Sequence, residues 1–463
     1  MPFKYLNKII FNKSDSVKKV LKTFNETAFY TERSGFGIVV DKSKTCIGVL
    51  TDGDIRRKLL KGLLIDDPIE KFINKRFIYA KENEDTHKIL RYFDKKIRVL
   101  PILNTKKQPV DLIFISSFKA NYRFKDKIFR SRVPVRVSFS GGGTDMSYFM
   151  DHKDGLVLNS TIRKYCYASI IVRDDQKINI YSKDLLLSYS AKNINEIKYG
   201  DSLDLIKAAI KIMEPNFGFD LETNSDIEVG TGLGGSSAMS VAIIGLLNEF
   251  NKENKLDLYD IADLAYQSER IFLNISGGWQ DQYSTAFGGF NWMEFRNNEV
   301  LVNPLKINRK TILELQFNLI LVRLEGTAHN SGELENIKQK DFKIESSVKM
   351  EKYNMMLDVS KKMKESLLKH NIKKFGDLLN ESWQIKKKFS NTSNSYINKL
   401  YELVIKNGSL GGKLLGSGQS GYLLLYVSPK YLSKVEVLLN KEGLKSEKII
   451  FSNFGLETWN TPR

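Results

Sequence analysis

Residues 228–246 read EVGTGLGGSSAMSVAIIGL, a glycine-rich segment that runs directly into an apolar stretch with the character of a helix. Glycine lets backbone N–H groups approach a ligand closely, and the start of a helix presents unpaired N–H donors with partial positive charge. This combination predicts a phosphate-binding loop of a nucleotide enzyme. The residues expected to hold the nucleotide are Gly230, Gly232, Leu233, Gly234, Gly235, Ser236 and Ser237.

The loop differs from the two best-known nucleotide-binding loops. A P-loop ends in Gly-Lys followed by Ser or Thr, and residues 230–237 contain no lysine. The glycines at positions 230, 232 and 235 fit GxGxxG, but a dinucleotide fold also needs an acidic residue about 20 residues later on a second strand. Residues 248–270 instead indicate a loop and another helix. A glycine-rich turn before a core helix is the purely structural alternative.

Length and composition indicate a globular protein of several domains. The 463 residues correspond to three domains at about 150 residues each, and 42% of them are hydrophobic. No apolar run approaches the ~18 residues of a membrane span, and the N-terminus lacks the features of a signal peptide. Cys46 and Cys166 are the only cysteines, which excludes a disulfide framework or a zinc cluster. We therefore expect a cytoplasmic protein that does not bind membranes.

The net charge of +18 raises the question of an anionic partner. Lysines are scattered through helical stretches and alternate with acids, and the one compact basic segment, 118–132, is typical of a solvated linker. Nucleic acid is therefore not an expected partner, whereas a phosphorylated substrate is compatible with the charge.

Residues 1–120 contain an internal repeat. Two strand patterns flank a polar turn within residues 37–50 and again within residues 97–117, and a helical pattern precedes each pair. The repeat resembles a tandem pair of CBS motifs. In the first copy, the resemblance implies that Thr51 and Asp54 contact an adenosyl nucleotide. The second copy has Ser116, but Phe118 and Lys119 stand where an acid is expected. A nucleotide sensor and a structural, dimerising pair are both open, and a homo-oligomer is expected.

Three glycine-bearing loops stand out in the remaining sequence: PVRVSFSGGGTD at 134–145, GTGLGGSSA at 230–238 and GGKLLGSGQSGYLLLY at 411–426. Their order and spacing resemble the three motifs of the GHMP small-molecule kinases. The GGGTD sequence and QDQYSTAFGGFNW at 280–292 are similar to the branch that phosphorylates D-glycero-D-manno-heptose 7-phosphate at its anomeric oxygen.

The resemblance implies an α+β kinase fold of two halves, which follow the tandem CBS α/β domain. Residues 127–305 would form the S5-like N-terminal half and residues 306–463 the ferredoxin-like C-terminal half. ATP and Mg²⁺ are the implied cofactors, and a sugar phosphate is the implied substrate.

Two magnesium ligands are expected. Ser236 matches the metal-binding serine of the family, with Ser237 close enough to replace it. On the helix that ends in SERIF, Glu269 falls on the apolar side, whereas Arg270 lies opposite. A buried carboxylate is costly unless it is paired or bound to metal, and the resemblance implies a metal-binding Glu at this place, so Glu269 is the expected second ligand. A Glu that pairs with a neighbouring Arg is the structural alternative.

The resemblance also assigns the catalytic residues. Asp281, predicted to lie in a loop, matches the catalytic base of the family, and Arg136 matches an arginine near the transferred group. The residues expected to contact the sugar are Gly142, Gly143, Thr144, Asp145 and Gly418. For a 7-phosphate, Arg163, Lys164, Arg323 and His329 are candidates among which the sequence does not choose.

The loops depart from the family at four positions. Glu228 replaces a proline, Gly235 replaces a serine, and Gln419 and Ser420 replace glycines.

Two alternatives to a heptose kinase stay open. One is an anomeric kinase for fucose or galactose, and the other is a nucleotide-sensing CBS regulator with a degenerate kinase region. Retention of Ser236, Glu269 and Asp281 argues against the second.

Overall fold

The structure is a computed structural model that divides the chain into two compact units, residues 1–123 and 124–463. None of the described helices is both long and apolar enough to cross a lipid bilayer. The structure describes residues 5–27, 35–82, 84, 86–93, 97–115, 127–251, 254–296, 299–324, 346–388 and 392–463.

The first unit consists of two copies of one motif. In each copy a helix connects two parallel strands that pair with each other. A third strand pairs with the second strand in antiparallel orientation. Buried side chains from both copies, including Ile38 and Leu103, share one hydrophobic cluster. The internal repeat predicted from the sequence is therefore present. The elements are β1 (Ile10–Asn12), α1 (Val17–Thr27), β2 (Phe36–Val40), β3 (Cys46–Thr51), α2 (Asp52–Leu59), β4 (Ala80–Lys81), α3 (Thr86–Phe93), β5 (Val99–Leu103) and β6 (Pro109–Phe114), with short 3₁₀ turns at Leu6–Ile9 and Ile69–Lys71.

Thr51 and Asp54, the residues predicted to contact a nucleotide, form a capping box at the start of α2. The Thr51 hydroxyl accepts a hydrogen bond from the Asp54 N–H, and the Asp54 carboxylate accepts from the Thr51 N–H. The two side chains also hydrogen-bond to each other at 2.6 Å. Both therefore stabilise the helix start, and their contact with a nucleotide stays a prediction. Ser116, Phe118 and Lys119 lie outside the described residues.

The second unit begins with an eight-stranded sheet, in the order β10-β9-β11-β8-β12-β13, with β7 paired to β8 and to β18. The helix Gly235–Asn248 is buried on nearly all sides, as expected for a helix that is apolar all round. The strands are β7 (Lys127–Ser140), β8 (Gly155–Val172), β9 (Ile178–Ser182), β10 (Leu187–Ala191), β11 (Phe219–Ser225), β12 (Phe290–Arg296), β13 (Glu299–Pro304) and β18 (Glu457–Pro462). The helices are α4 (Ser147–Met150), a 3₁₀ turn (Ile194–Glu196), α5 (Asp204–Met213), α6 (Gly235–Asn248), α7 (Leu258–Gln267), a π-helical turn (Ser268–Phe272) and α8 (Gln280–Phe287).

The rest of the second unit is built on a four-stranded antiparallel sheet in the order β15-β16-β14-β17. This is the strand order of a ferredoxin-like fold, so the predicted α+β organisation is confirmed. Phe139 of β7 packs edge-on against Phe375, with ring centroids 5.3 Å apart, which joins the two sheets through one core. The elements are α9 (Arg309–Asn318), β14 (Leu319–Leu324), α10 (Ser346–Leu368), α11 (Ile372–Lys386), α12 (Ser395–Lys406), β15 (Ser409–Leu414), β16 (Gly421–Val427), α13 (Pro429–Lys441) and β17 (Ser446–Lys448).

Candidate active site

The three glycine-bearing loops border one cavity of about 560 Å³ in the second unit. The first loop contributes Gly142, Gly143 and Asp145, the second contributes most of residues 228–236, and the third contributes Gly416 and Ser417. Residues more than 270 positions apart in the sequence therefore surround one space, which is large enough for a small-molecule ligand.

The second loop turns into the N-terminus of α6, which begins at Gly235. Gly232 has a φ of +77°, and a Cβ there would lie 2.8 Å from the carbonyl oxygen of Leu415 in the third loop. Only glycine fits this close approach. A Cβ on Gly235 would lie 2.8 Å from the Cδ1 of Ile227, which gives a packing reason for the missing serine. The loop and helix start supply backbone N–H donors suited to phosphate.

The cavity also has an apolar arm that the sequence did not reveal. Its walls come from β8, α5, α6 and the segments beside β9 and β11, which are far apart in the chain. An apolar pocket next to a phosphate loop suits a nucleobase. The apolar residues of this arm are Cys166, Leu185, Leu205, Ile206, Ile227 and Met239.

The two adjacent serines at the start of α6 face different surroundings. Ser236 is exposed, whereas Ser237 is fully buried and donates a hydrogen bond of 2.7 Å to Oε2 of Glu269. Gln282 donates to the same oxygen, and Oε1 of Glu269 has no hydrogen-bond partner among the described residues. The structure thus pairs Glu269 with Ser237, the alternative ligand, and not with Ser236.

Glu269 lies on a π-helical turn, Ser268–Phe272, that ends α7. The wider turn brings both Glu269 and Arg270 to the cavity, so the prediction that Arg270 lies on the opposite face is wrong. An Arg270 nitrogen lies 4.0 Å from the Glu269 carboxylate, so the structural alternative of a Glu–Arg pair is present, but loosely. The described residues contain no cluster of three or more His, Cys, Asp or Glu side chains for a metal.

Arg136 and Asp281 form an ion pair at the centre of the cavity wall. Nε and a terminal nitrogen of Arg136 donate to the two carboxylate oxygens of Asp281 at 2.8 and 2.6 Å. The other terminal nitrogen donates to the carbonyl of Gly232 at 2.6 Å, and the Arg136 N–H donates to Leu233. Asp281 lies in the first turn of α8, not in a loop as predicted. The two residues that the sequence assigns to catalysis are thus in direct contact in the structure.

Asp145 ties the first loop to α8. Its Oδ1 accepts from the Gly143 N–H at 2.9 Å, and its Oδ2 accepts from the Gln280 N–H at 3.1 Å. Burial raises the pKa of this carboxyl, and the nearby charge of Asp281 raises it further. A Cβ on Gly278 would overlap the carboxylate, so glycine is required there. Asp145 lines the cavity as expected, and it also has a structural role.

Thr144 does not face the cavity. It is fully buried, and its hydroxyl donates to the carbonyl of Gly141 at 2.8 Å and accepts from the Leu156 N–H at 3.0 Å. The prediction that Thr144 contacts the sugar therefore does not fit the structure. Gly418, also predicted to contact the sugar, packs against Thr392, while Gly416 and Ser417 line the cavity.

The cations proposed from the sequence for a sugar phosphate lie elsewhere. Lys164 pairs with Glu447 at 2.9 Å, and Arg323 pairs with Glu228, the residue that replaces the family's proline. Arg163 is exposed on β8 and does not line the cavity, and His329 lies outside the described residues. The cations that line the cavity are Arg136, Arg270, Lys386 and Lys413.

Families of known proteins match both units. The family described as GHMP kinases N terminal domain matches residues 204–289, and the one described as GHMP kinases C terminal matches residues 363–439. A CBS domain matches residues 7–61. A D-glycero-alpha-D-manno-heptose 7-phosphate kinase of Campylobacter jejuni is 35% identical over 343 residues, which cover 72% of this chain and 99% of the relative.

Solved structures show the same fold. A D-glycero-D-manno-heptose 1-phosphate kinase from Bacteriodes thetaiotaomicron is 30% identical, with a TM-score of 0.59 over 72% of this chain and 98% of its own. The Lactococcus lactis galactokinase complexed with galactose has a TM-score of 0.59 at 17% identity, over 74% and 98% of the two chains. The galactokinase is evidence for the fold alone.

The two hydrogen bonds to Asp145 lead to a prediction. Asp145→Asn should lower the free energy of unfolding by about 1–3 kcal/mol, because the amide NH₂ would face one of two backbone N–H donors. Thermal and urea unfolding followed by circular dichroism measure this change. Asp154→Asn, at an exposed position, is the control and should leave unfolding unchanged. Equal stability of the two variants would show that the Asp145 carboxylate does not hold the start of α8.

Proposed function

The chain belongs to the GHMP kinase family and is a sugar kinase with a CBS domain at its N-terminus, and from that premise we propose its substrate and mechanism. The proposed reaction transfers the terminal phosphoryl group of ATP to the anomeric hydroxyl of D-glycero-D-manno-heptose 7-phosphate. The Campylobacter relative, 35% identical and covered over 99% of its length, supports this substrate. The product, a 1,7-bisphosphate, would serve nucleotide-sugar and surface polysaccharide synthesis in the cytoplasm.

The observation that carries the proposal is the Arg136–Asp281 pair, which links the first loop to α8 and lines the cavity. Phosphoryl transfer has a loose transition state and needs mainly alignment and charge stabilisation. Arg136 holds the Asp281 carboxylate in one orientation, where it would accept the proton of the acceptor hydroxyl. The Arg136 guanidinium also places positive charge beside the second loop, where negative charge develops.

The second loop and the start of α6 would bind the phosphates of ATP through backbone N–H groups, with the nucleobase in the apolar arm. Glu269 and Ser237 fit a magnesium ion, because Oε1 of Glu269 is fully buried without a partner among the described residues and Mg²⁺ prefers oxygen ligands. When bound, Mg²⁺ would neutralise phosphate charge during transfer. Gly142, Gly143 and Asp145 would border the sugar.

The CBS domain leaves a further role open. We propose an adenosyl nucleotide as its effector, with Thr51 and Asp54 as contacts, and a homodimer through the CBS-like pair.

A second candidate function is a kinase for unphosphorylated fucose or galactose. It has support from a relative, because an L-fucokinase/L-fucose-1-P guanylyltransferase of Bacteroides fragilis is 25% identical over 351 residues. This chain covers only 37% of that relative.

A direct test is ADP release with a panel of acceptors. We expect turnover with D-glycero-D-manno-heptose 7-phosphate and at least about tenfold lower kcat/KM with heptose, fucose and galactose, which corresponds to about 1.4 kcal/mol of discrimination. Phosphorus NMR of the product should show a new phosphate at the anomeric position, which matters because the names of the two heptose kinase relatives differ in phosphate position. Turnover confined to unphosphorylated sugars would contradict the proposed substrate.

The two serines at the start of α6 provide a matched pair of variants. Ser237→Ala should raise the Mg²⁺ concentration for half-maximal rate by about 10–100-fold, because it removes a hydroxyl from the proposed site beside Glu269. Ser236→Ala should change that concentration by less than about twofold, because the side chain is exposed. Magnesium titrations of the initial rate distinguish the two. The reverse pattern would assign the metal to Ser236.

A further inference from the structure

Lys413 of β15 is a buried ammonium group on the cavity wall. Lys413 is only 3% exposed, and its Nζ donates a hydrogen bond to the carbonyl of Phe139 at 3.2 Å. No carboxylate among the described residues pairs with it. Burial and, to a smaller extent, the neighbouring charge of Arg136 lower the pKa of Lys413 to about 7.

A buried lysine of this kind is costly unless an anion compensates its charge. Lys207, the other fully enclosed lysine described here, shows the usual solution. Its Nζ contacts the carboxylates of Asp201 and Asp204 at 2.6 and 3.2 Å. Lys413 has no such partner but faces a cavity, and polar groups left uncompensated next to a cavity are typical of functional sites. A bound anion would supply the missing charge.

The position of Lys413 places this anion on the acceptor side. Phe139, its hydrogen-bond partner, lies near the end of β7, within the first loop segment 134–145 and directly before its glycines. The neighbouring Ser138 lines the cavity, and its hydroxyl has no partner among the described residues. Lys386, whose Nζ donates to the carbonyls of Leu414 and Gly416, is a second ammonium group that lines the cavity.

We infer that Lys413, Lys386 and the Ser138 hydroxyl form a subsite for the phosphate group that the acceptor sugar already carries. The inference rests on the proposed function and names the residues that would select a sugar phosphate over the free sugar. Arg136 is not available for this role, because its guanidinium is shared between Asp281 and Gly232. The donor phosphates have their own site at the second loop. The subsite therefore determines acceptor specificity, and other residues bind the phosphoryl group that is transferred.

The test measures the KM of wild type and of Lys413→Met for each substrate in turn, with the other substrate at saturating concentration. The KM for D-glycero-D-manno-heptose 7-phosphate should rise by about 10–100-fold, as expected for loss of a hydrogen bond from a charged donor. The KM for ATP should change by less than about twofold, as for a residue that does not contact it. Lys413→Arg, which keeps the charge, should give a smaller rise than Lys413→Met.

Lys164→Met is the matched control, because Lys164 pairs with Glu447 outside the cavity, and it should leave both KM values unchanged. Circular dichroism should show Lys413→Met folded and at least as stable as wild type, since the variant removes an unpaired buried charge. Calorimetric binding of the sugar phosphate in the presence of ADP provides a second readout. Equal increases in both KM values, or an unchanged KM for the sugar phosphate, would overturn the inference.

The outcomes also separate the subsite from the proposed substrate. If wild type uses a different sugar phosphate, the heptose assignment is wrong, and the same KM comparison with that acceptor tests the subsite. If wild type uses only unphosphorylated sugars, the subsite is contradicted as well.

Discussion

The arrangement of the active site depends on the ion pair between Arg136 and Asp281. Arg136 comes from β7, Asp281 from the first turn of α8, and the same guanidinium holds the carbonyl of Gly232 in the second loop. Arg136 is 5% exposed, so loss of the Asp281 charge would leave the guanidinium buried without its partner, which costs about 3–5 kcal/mol. One side chain thereby fixes the distance between the phosphate loop and the proposed base. Asp145 completes the frame, because it connects the first loop to the same helix.

Much of the site was predictable because it depends on local sequence. Glycine spacing marked the three loops, the repeat of strand and helix patterns marked the CBS-like unit, and a carboxylate on an apolar helix face pointed to Glu269. The choice between Ser236 and Ser237 was not predictable from spacing, because adjacent residues at a helix start face opposite surroundings. The π-helical turn was also invisible, since residue patterns assume a regular α-helix, and Arg270 was therefore placed on the wrong face.

Long-range contacts account for the remaining differences. Asp145 reaches the N–H of Gln280, 135 residues away, and Thr144 turns its hydroxyl to the backbone of β8. Lys164 and Arg323 were candidates for a phosphate pocket, but both pair with glutamates from other segments. The sequence does not single out Lys413, since a lysine in a sequence gives no sign of burial. The ferredoxin-like sheet encloses it next to β7, and this enclosure makes it a candidate for acceptor specificity.

The most direct test of this account is a double-mutant cycle on kcat with Asp281→Asn, Arg136→Met and the double variant. If the pair acts as a unit, each single variant should lose about 10²–10³-fold in kcat, and the double variant should lose no more than the worse single variant. Circular dichroism would verify that all three are folded. Losses that multiply in the double variant, or a single variant with wild-type turnover, would contradict the central role of the Arg136–Asp281 pair.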